Sequence, residues 1–193
     1  MAEAQARRRR QRSDARQSIA AVLDAAIQVL AGRPGASVDE IARAAGVSRQ
    51  TVYAHFPSRD ALIDAVIERA SAEFTALLDG LDLDQAPPAQ ALTRLLDAGW
   101  QVADRYPFLW LQPAVDPGKD AERHVPVLNR MLDIILRGQA SGDFDASLPA
   151  HWLLSAALAL GRAAEDEVKA GRMTIEQATH AMHQGLLRLL GTR

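Results

Sequence analysis

Apolar residues recur along this chain at helical spacing, and no stretch shows the two-residue alternation of a strand. Ser13 precedes a first segment in which Ile19, Val22, Leu23, Ala26, Ile27 and Leu30 fall three or four apart and trace one face. Gly32-Arg33-Pro34-Gly35 ends it. Ser37 opens a short segment with Val38, Ile41, Ala42 and Ala45 inward, and Glu40 stands three residues on, the spacing of a capping box. Gly46 breaks that segment, and Ser48 caps the next one, which runs through His55. Pro57 stops it by pushing the residue before it out of helical geometry. A fourth segment, from about Ser58, aligns Leu62, Ile63, Val66, Ile67, Ala70, Phe74, Leu77 and Leu78. At roughly 20 residues it would span about 30 Å, enough to leave a small head and enter a larger body.

After a loop from Asp79 to Pro88, the pattern predicts a helix over 89–105 and a short segment over 107–113. An acidic loop at 114–120, a helix near 121–140 and a turn at 142–148 follow. Two long helices, about 149–170 and 174–190, flank Gly171. The expected fold is all-α, a three-helix head joined by a long helix to a larger helical body. The expected divisions are a basic flexible arm over 1–12, a head over 13–59 and a body over 60–193.

Composition narrows the chemistry. The 193 residues include no cysteine, which removes disulfides, thiolate nucleophiles and cysteine metal sites. The densest apolar run, Trp152 to Leu160, is far shorter than the roughly 18 residues of a membrane span. The basic N-terminus has no apolar stretch behind it, unlike a secretory signal, so the cytoplasm is the expected compartment and no membrane the expected partner. The net charge of −2 is unevenly spread. Residues 1–60 carry 10 arginines and 6 acids, whereas residues 61–193 carry 12 basic and 18 acidic side chains. That split suits a head that meets a polyanion on a body that does not.

The segment 37–56 concentrates the functional signal. Two short helices around a glycine turn are what a helix-turn-helix requires. Val47 can plug the angle, and Val52 and Phe56, four apart, face inward. Arg49, Gln50, Thr51, Tyr53 and His55 are left outside. Arg and Gln match guanine and adenine edges in the major groove, while Ser48, Thr51, Tyr53 and His55 are of types that donate to phosphates. Arg7 to Arg10 and Arg12 form either a solubilising tail or an arm that touches the minor groove or phosphates.

The run Ser37-Val38-x-x-Ile41-Ala42-x-x-Ala45-Gly46-Val47-Ser48-x-x-Thr51-Val52-Tyr53-x-His55-Phe56-x-Ser58-Arg59-x-x-Leu62 resembles the TetR (tetracycline-repressor-like) family of bacterial transcription regulators. The resemblance is close over about residues 13–70, and in the body it rests on helix count and length. It implies a DNA-binding head, a helical ligand-binding and dimerisation body, and repression relieved by a small molecule. Matched position by position, it places Ser37, Thr51, Tyr53, His55 and Arg59 on DNA. Two positions depart from the commonest pattern: Gln50 stands where a smaller residue is frequent, and Arg59 where lysine is usual.

In the body, Trp100, Tyr106, Phe108, Trp110 and Met131, with Phe74 from the long helix, supply either core or the walls of a site for a mainly apolar effector. Of the three tryptophans, Trp152 is the least expected to line such a site. The apolar run 152–160 and the stripe Ile175, Ala178, Met182, Leu186 and Leu189, with small Ala181 and Gly185, suggest a homodimer through residues 149–190. The other outcome is that both helices complete the monomer's own core. His180 and His183 stand three apart without an evident third ligand, so no metal is expected. Glu165-Asp166-Glu167 reads as a solvated helix end. With no G-x-S-x-G, no phosphate-cradling glycine loop and no H-E-x-x-H, neither an enzyme nor a cofactor is expected. The alternative function is a DNA-binding architectural or ligand-independent regulator, which would have a filled body.

Overall fold

The computed structural model describes the backbone of residues 1–111 and 117–191 and the side chains of Met1, 15–109, 118, 119 and 122–191. Every regular element among the described residues is helical: α1 (Ala2–Gly32), α2 (Val38–Ala44), α3 (Arg49–His55), α4 (Arg59–Asp79), α5 (Pro88–Arg105), a 3-10 turn at Pro107–Leu111, α6 (Pro117–Ser141), α7 (Ala150–Lys169) and α8 (Ile175–Leu189). The expected all-α class is the observed one. The chain forms two compact units, Met1–Arg69 and Ala70–Arg193, and the division falls inside α4.

In the first unit, α2 packs on α1 and α3, and α1 on α3. Val22, Ala26 and Leu30 of α1, Ile41 and Ala42 of α2, Val52 of α3, and Leu62, Ile63 and Val66 of α4 are buried together with Phe56. Residues up to Arg69 of α4 therefore belong with the head, ten residues beyond the division expected at residue 60, because Leu62, Ile63 and Val66 each cover part of its core. The first helix also differs from expectation. It starts at Ala2, not after Ser13, and takes in the segment expected to be a flexible arm. Residues 2–12 are Ala, Glu, Gln and Arg throughout, all strong helix formers with no Gly or Pro to stop them. Ser13, a modest helix former, costs only about half a kcal/mol in the interior, too little to end the helix.

In the second unit, α5, α6, α7 and α8 pack in succession, and the 3-10 turn lies on α5 and α7. Their core includes Leu92, Leu95, Ile134, Ile135, Leu153, Leu186 and Leu190. Arg137 of α6 holds the loop between α4 and α5. Its guanidinium donates to the carbonyls of Leu83 at 2.6 Å and of Asp84 and Ala86 at 3.1 Å. That loop contains Asp82 at φ 48, a left-handed conformation rare outside glycine, and the three bonds offset its strain. Thr174 and Gln177 form a reciprocal capping box at the start of α8. Trp152, in the apolar run expected to pair two copies, is 52% exposed on α7. The inward face of that helix is taken by Leu153 and Ala157, which leaves the neighbouring position outside.

Phe144, in the turn after α6, is seated directly over Gly138, and its amide donates to the Gly138 carbonyl at 3.0 Å. A Cβ on Gly138 would lie 2.1 Å from the Phe144 ring. Gly138→Ala should thus destabilise the protein, although alanine is the better helix former by about 1 kcal/mol. Displacing the ring is expected to cost about 1–3 kcal/mol, read as a lowered midpoint in urea denaturation. An unchanged or raised midpoint would show that Phe144 yields freely.

Candidate functional site

The first unit builds a helix-turn-helix from local chemistry. Ser37 caps α2: its hydroxyl accepts from the Glu40 amide, while the Glu40 carboxylate accepts from the Ser37 amide at 2.8 Å. Arg33 pairs with the same carboxylate. The Glu40 pKa is lowered, first by the Ser37 amide, then by the Ser37 hydroxyl and by Arg33. Gly46 takes φ +68 after α2, and the Val47 amide returns to the Ala42 carbonyl at 3.0 Å. Ser48 then caps α3 by accepting from the Thr51 amide at 3.0 Å, and the Ser48 and Thr51 hydroxyls hydrogen-bond to each other at 2.8 Å.

With Val52 and Phe56 buried, the outer surface of α3 is determined. Arg49 and Gln50 are exposed, Tyr53 is 37% exposed, and Thr51 and His55 are half-buried. The Arg49 guanidinium lies 5.3 Å from the Tyr53 ring centroid and 3.0 Å from Asp39 of α2. Its pKa is raised, first by Tyr53 and then by Asp39. The exposed ion pair to Asp39 is readily exchanged for another anion. Ser37, Ser48, Arg49, Gln50, Thr51, Tyr53 and His55 thus share one small region. The ring of His55 stands edge-on to Phe56, 6.4 Å between centroids. Arg59 is placed differently from a free phosphate donor. Its guanidinium donates to the carbonyls of Pro34 at 2.7 Å and Ala36 at 3.3 Å, tying α4 to the loop that leads into α2.

The second unit contains a cavity of about 730 Å³. Its walls come from α4 to α8. Leu95, Leu96, Met131, Ala157 and Leu186 are shared with the core, and Phe74, Trp100, Val127, Leu128, Leu158 and Met182 add further apolar surface. His124, Arg162, Glu165 and Thr179 are the polar wall residues. Gly99 and Gly161 leave room where a side chain would project. Of the apolar residues expected to line a site, Phe74, Trp100 and Met131 do so. Tyr106 and Phe108 do not: both are fully buried, and the Tyr106 hydroxyl donates to Glu73 at 2.7 Å, which anchors the ring in the core. The side chain of Trp110 lies outside the described residues. The walls from α7 and α8 were not foreseen. Their signal is weak but present: Gly161 interrupts an otherwise bulky face of α7, and a Cβ there would lie 3.9 Å from the Met182 sulfur. No group of acids and histidines suited to a metal occurs among the described residues.

Residues 22–66 match the bacterial regulatory proteins of the tetR family. The HTH-type transcriptional regulator NfxB of Pseudomonas aeruginosa is 27% identical over 158 residues, 80% of this chain and 84% of that protein. The HTH-type transcriptional repressor LfrR of Mycolicibacterium smegmatis is 34% identical over 118 residues, 57% of this chain and 62% of that protein. Among solved structures, the TetR-like regulator LfrR from Mycobacterium smegmatis in complex with proflavine superposes with a TM-score of 0.65 at 28% identity, covering 88% of this chain and 95% of that one.

Two outcomes follow from the geometry of the head. A folded-state pKa held below the ordinary value makes the Glu40 contribution complete above about pH 4.5 and lost as pH falls through the lowered value. Glu40→Gln retains the cap without the charge, so the melting temperatures of wild type and variant should converge as pH drops below about 4.5. A gap that stays constant to acid pH would refute the coupling. The second outcome separates a clamp from a phosphate contact at Arg59. Arg59→Gln should lower the stability of the head and weaken DNA binding without changing its salt dependence. A slope reduced by about 1 in log affinity against log salt would instead mark a lost phosphate contact.

Proposed function

This chain belongs to the TetR family of bacterial regulatory proteins, and on that premise we propose that it represses transcription by laying α3 in the major groove of an operator, and that a mainly apolar small molecule releases it. The observation that carries the proposal is the outer surface of α3. Arg49 and Gln50 stand at the start of the helix, exposed, on a backbone locked by the Ser48 cap and by buried Val52 and Phe56. Base-reading side chains need that rigidity, because a bidentate contact tolerates little misplacement. Tyr53, Thr51, Ser48, Ser37 and His55 surround them as phosphate donors. The proteins similar to this chain carry the names of transcriptional regulators, and we assign it no catalytic activity and no cofactor.

Two copies are proposed to bind together through α7 and α8 as an isologous pair. An exposed Trp152 with small Ala156, Ala159, Ala163 and Ala181 nearby favours close helix packing. Two α3 helices would then meet half-sites about 34–36 Å, or a multiple, apart. The solved relative LfrR binds proflavine, and the cavity of about 730 Å³ here has the size and apolar walls of a small-molecule site. A purely architectural protein would have no use for such a cavity. Helix α4 belongs to both units, so a ligand beside Phe74 would act on the head through it. Coupling of this kind is typically 1–3 kcal/mol and reciprocal, so operator DNA would weaken ligand binding by the same factor. No helix among the described residues is long and apolar enough to cross a membrane, and the proposed place of action is the cytoplasm, with the DNA.

The test is to sequence the DNA fragments that the purified protein retains. Two half-sites in inverted orientation are expected. Arg49→Ala or Gln50→Ala should cost about 1–3 kcal/mol on the selected site and relax the preference at one position of each half-site. Retention of unrelated sequences, with no change of preference in either variant, would refute sequence-specific reading by α3.

A further inference from the structure

Resting on the reading of α3 as the helix that enters the major groove, we propose that Asp39 of α2 is a positioning residue for that recognition, holding the Arg49 guanidinium so that it meets a guanine rather than a phosphate. An acid stands here where a polyanion is to dock. The Asp39 side chain is 49% exposed and meets Arg49, the first residue of α3. A bare carboxylate at such a surface repels phosphates and lowers affinity for every DNA sequence alike. The first turn of α2 favours an acid at this position, but that role needs no partner in α3. The partner is present all the same: Arg49 Nη1 donates to Asp39 Oδ2 at 3.0 Å. The neighbouring acid, Glu40, is already engaged by Ser37 and Arg33.

Arg49 is held from two sides. Asp39 takes one terminal nitrogen, and the Tyr53 ring, one turn further along α3, has its centroid 5.3 Å from the guanidinium carbon. As fold contacts both are worth little, because the side chains are exposed. What they change is the freedom of a long side chain. An unrestrained arginine accepts any phosphate oxygen within reach, and such contacts carry no sequence information. A planar guanidinium fixed at one nitrogen beside a ring presents its other donors in one plane. A pair of them along another edge matches the O6 and N7 acceptors of a guanine. On guanine, Arg49 keeps Asp39 as its second partner. Turning to a phosphate means giving the carboxylate up. The acid therefore opposes non-operator DNA more than operator DNA, and specificity is that difference of affinities.

Fluorescence anisotropy on the full chain tests this with two duplexes, a fragment that the wild type retains and a scrambled sequence of the same length and composition. The quantity read is the ratio of scrambled to operator Kd, which cancels any change in the folded fraction. In Asp39→Ala that ratio should fall about tenfold, the worth of a weakened base contact. The lost preference should lie at the same base pair, a G·C, that Arg49→Ala relaxes. Added to Arg49→Ala, Asp39→Ala should lower the ratio no further, because the side chain it positions is gone. A ratio that Asp39→Ala leaves unchanged overturns the positioning role while leaving α3 as the reading helix. An equal fall with and without Arg49 overturns it too, since the acid would then act by itself. If the wild type prefers no fragment to the scrambled duplex, sequence-specific reading by α3 fails and the role of Asp39 with it.

Discussion

Helix ends leave backbone groups that must find partners, and an all-helical chain has two such ends for every helix it contains. At several helix starts in this protein the partners are side chains a few residues away. Ser37 with Glu40, Ser48 and Thr174 with Gln177 close three helix starts locally. Where the loop carbonyls have no nearby donor, an arginine from another helix reaches them: Arg59 takes those of Pro34 and Ala36, and Arg137 takes those of Leu83, Asp84 and Ala86. Each guanidinium joins a loop to a later helix. These bonds add to the apolar core in placing the elements within each unit.

For α3 the consequence is direct. A helix of seven residues is too short to persist alone, since nucleation costs more than so few hydrogen bonds return. It persists because Ser48 closes its first turn and Val52 and Phe56 are buried under it. The same two constraints dictate which residues face outward, so the surface proposed to read DNA is a by-product of how the helix is held. Arg59, three positions beyond Phe56, gives two of its donors to loop carbonyls.

The body obeys a different balance. Its helices bury bulky side chains between them, yet Gly99 and Gly161 interrupt those faces and leave space unfilled. Empty apolar volume costs stability, and natural cores avoid it. His124, Arg162, Glu165 and Thr179 among its apolar walls give the cavity its chemical character. The aromatic side chains divide accordingly. Tyr106 and Phe108 fill the core, while Phe74 and Trp100 stand at the cavity.

The all-α class, the element order, the two caps of the helix-turn-helix and the inward pair Val52 and Phe56 could all be inferred from the amino-acid order. Each is a local matter of spacing, capping type or punctuation by Gly and Pro, acting over a turn or two of chain. The start of α1 at Ala2 was equally local, but there the propensity of an Ala, Glu, Gln and Arg run outweighed the cap at Ser13. What only the tertiary structure decided involves partners far apart in sequence. Arg59 meets carbonyls 25 and 23 positions earlier, and charge and residue type alone could not distinguish that clamp from a phosphate contact. Which aromatic residues face a cavity, and that α7 and α8 contribute Gly161 and Thr179 to its wall, depend on how five helices are rotated about their axes. Helical periodicity says that a face is buried. It does not say against what, because the hydrophobic effect that drives the burial has no direction.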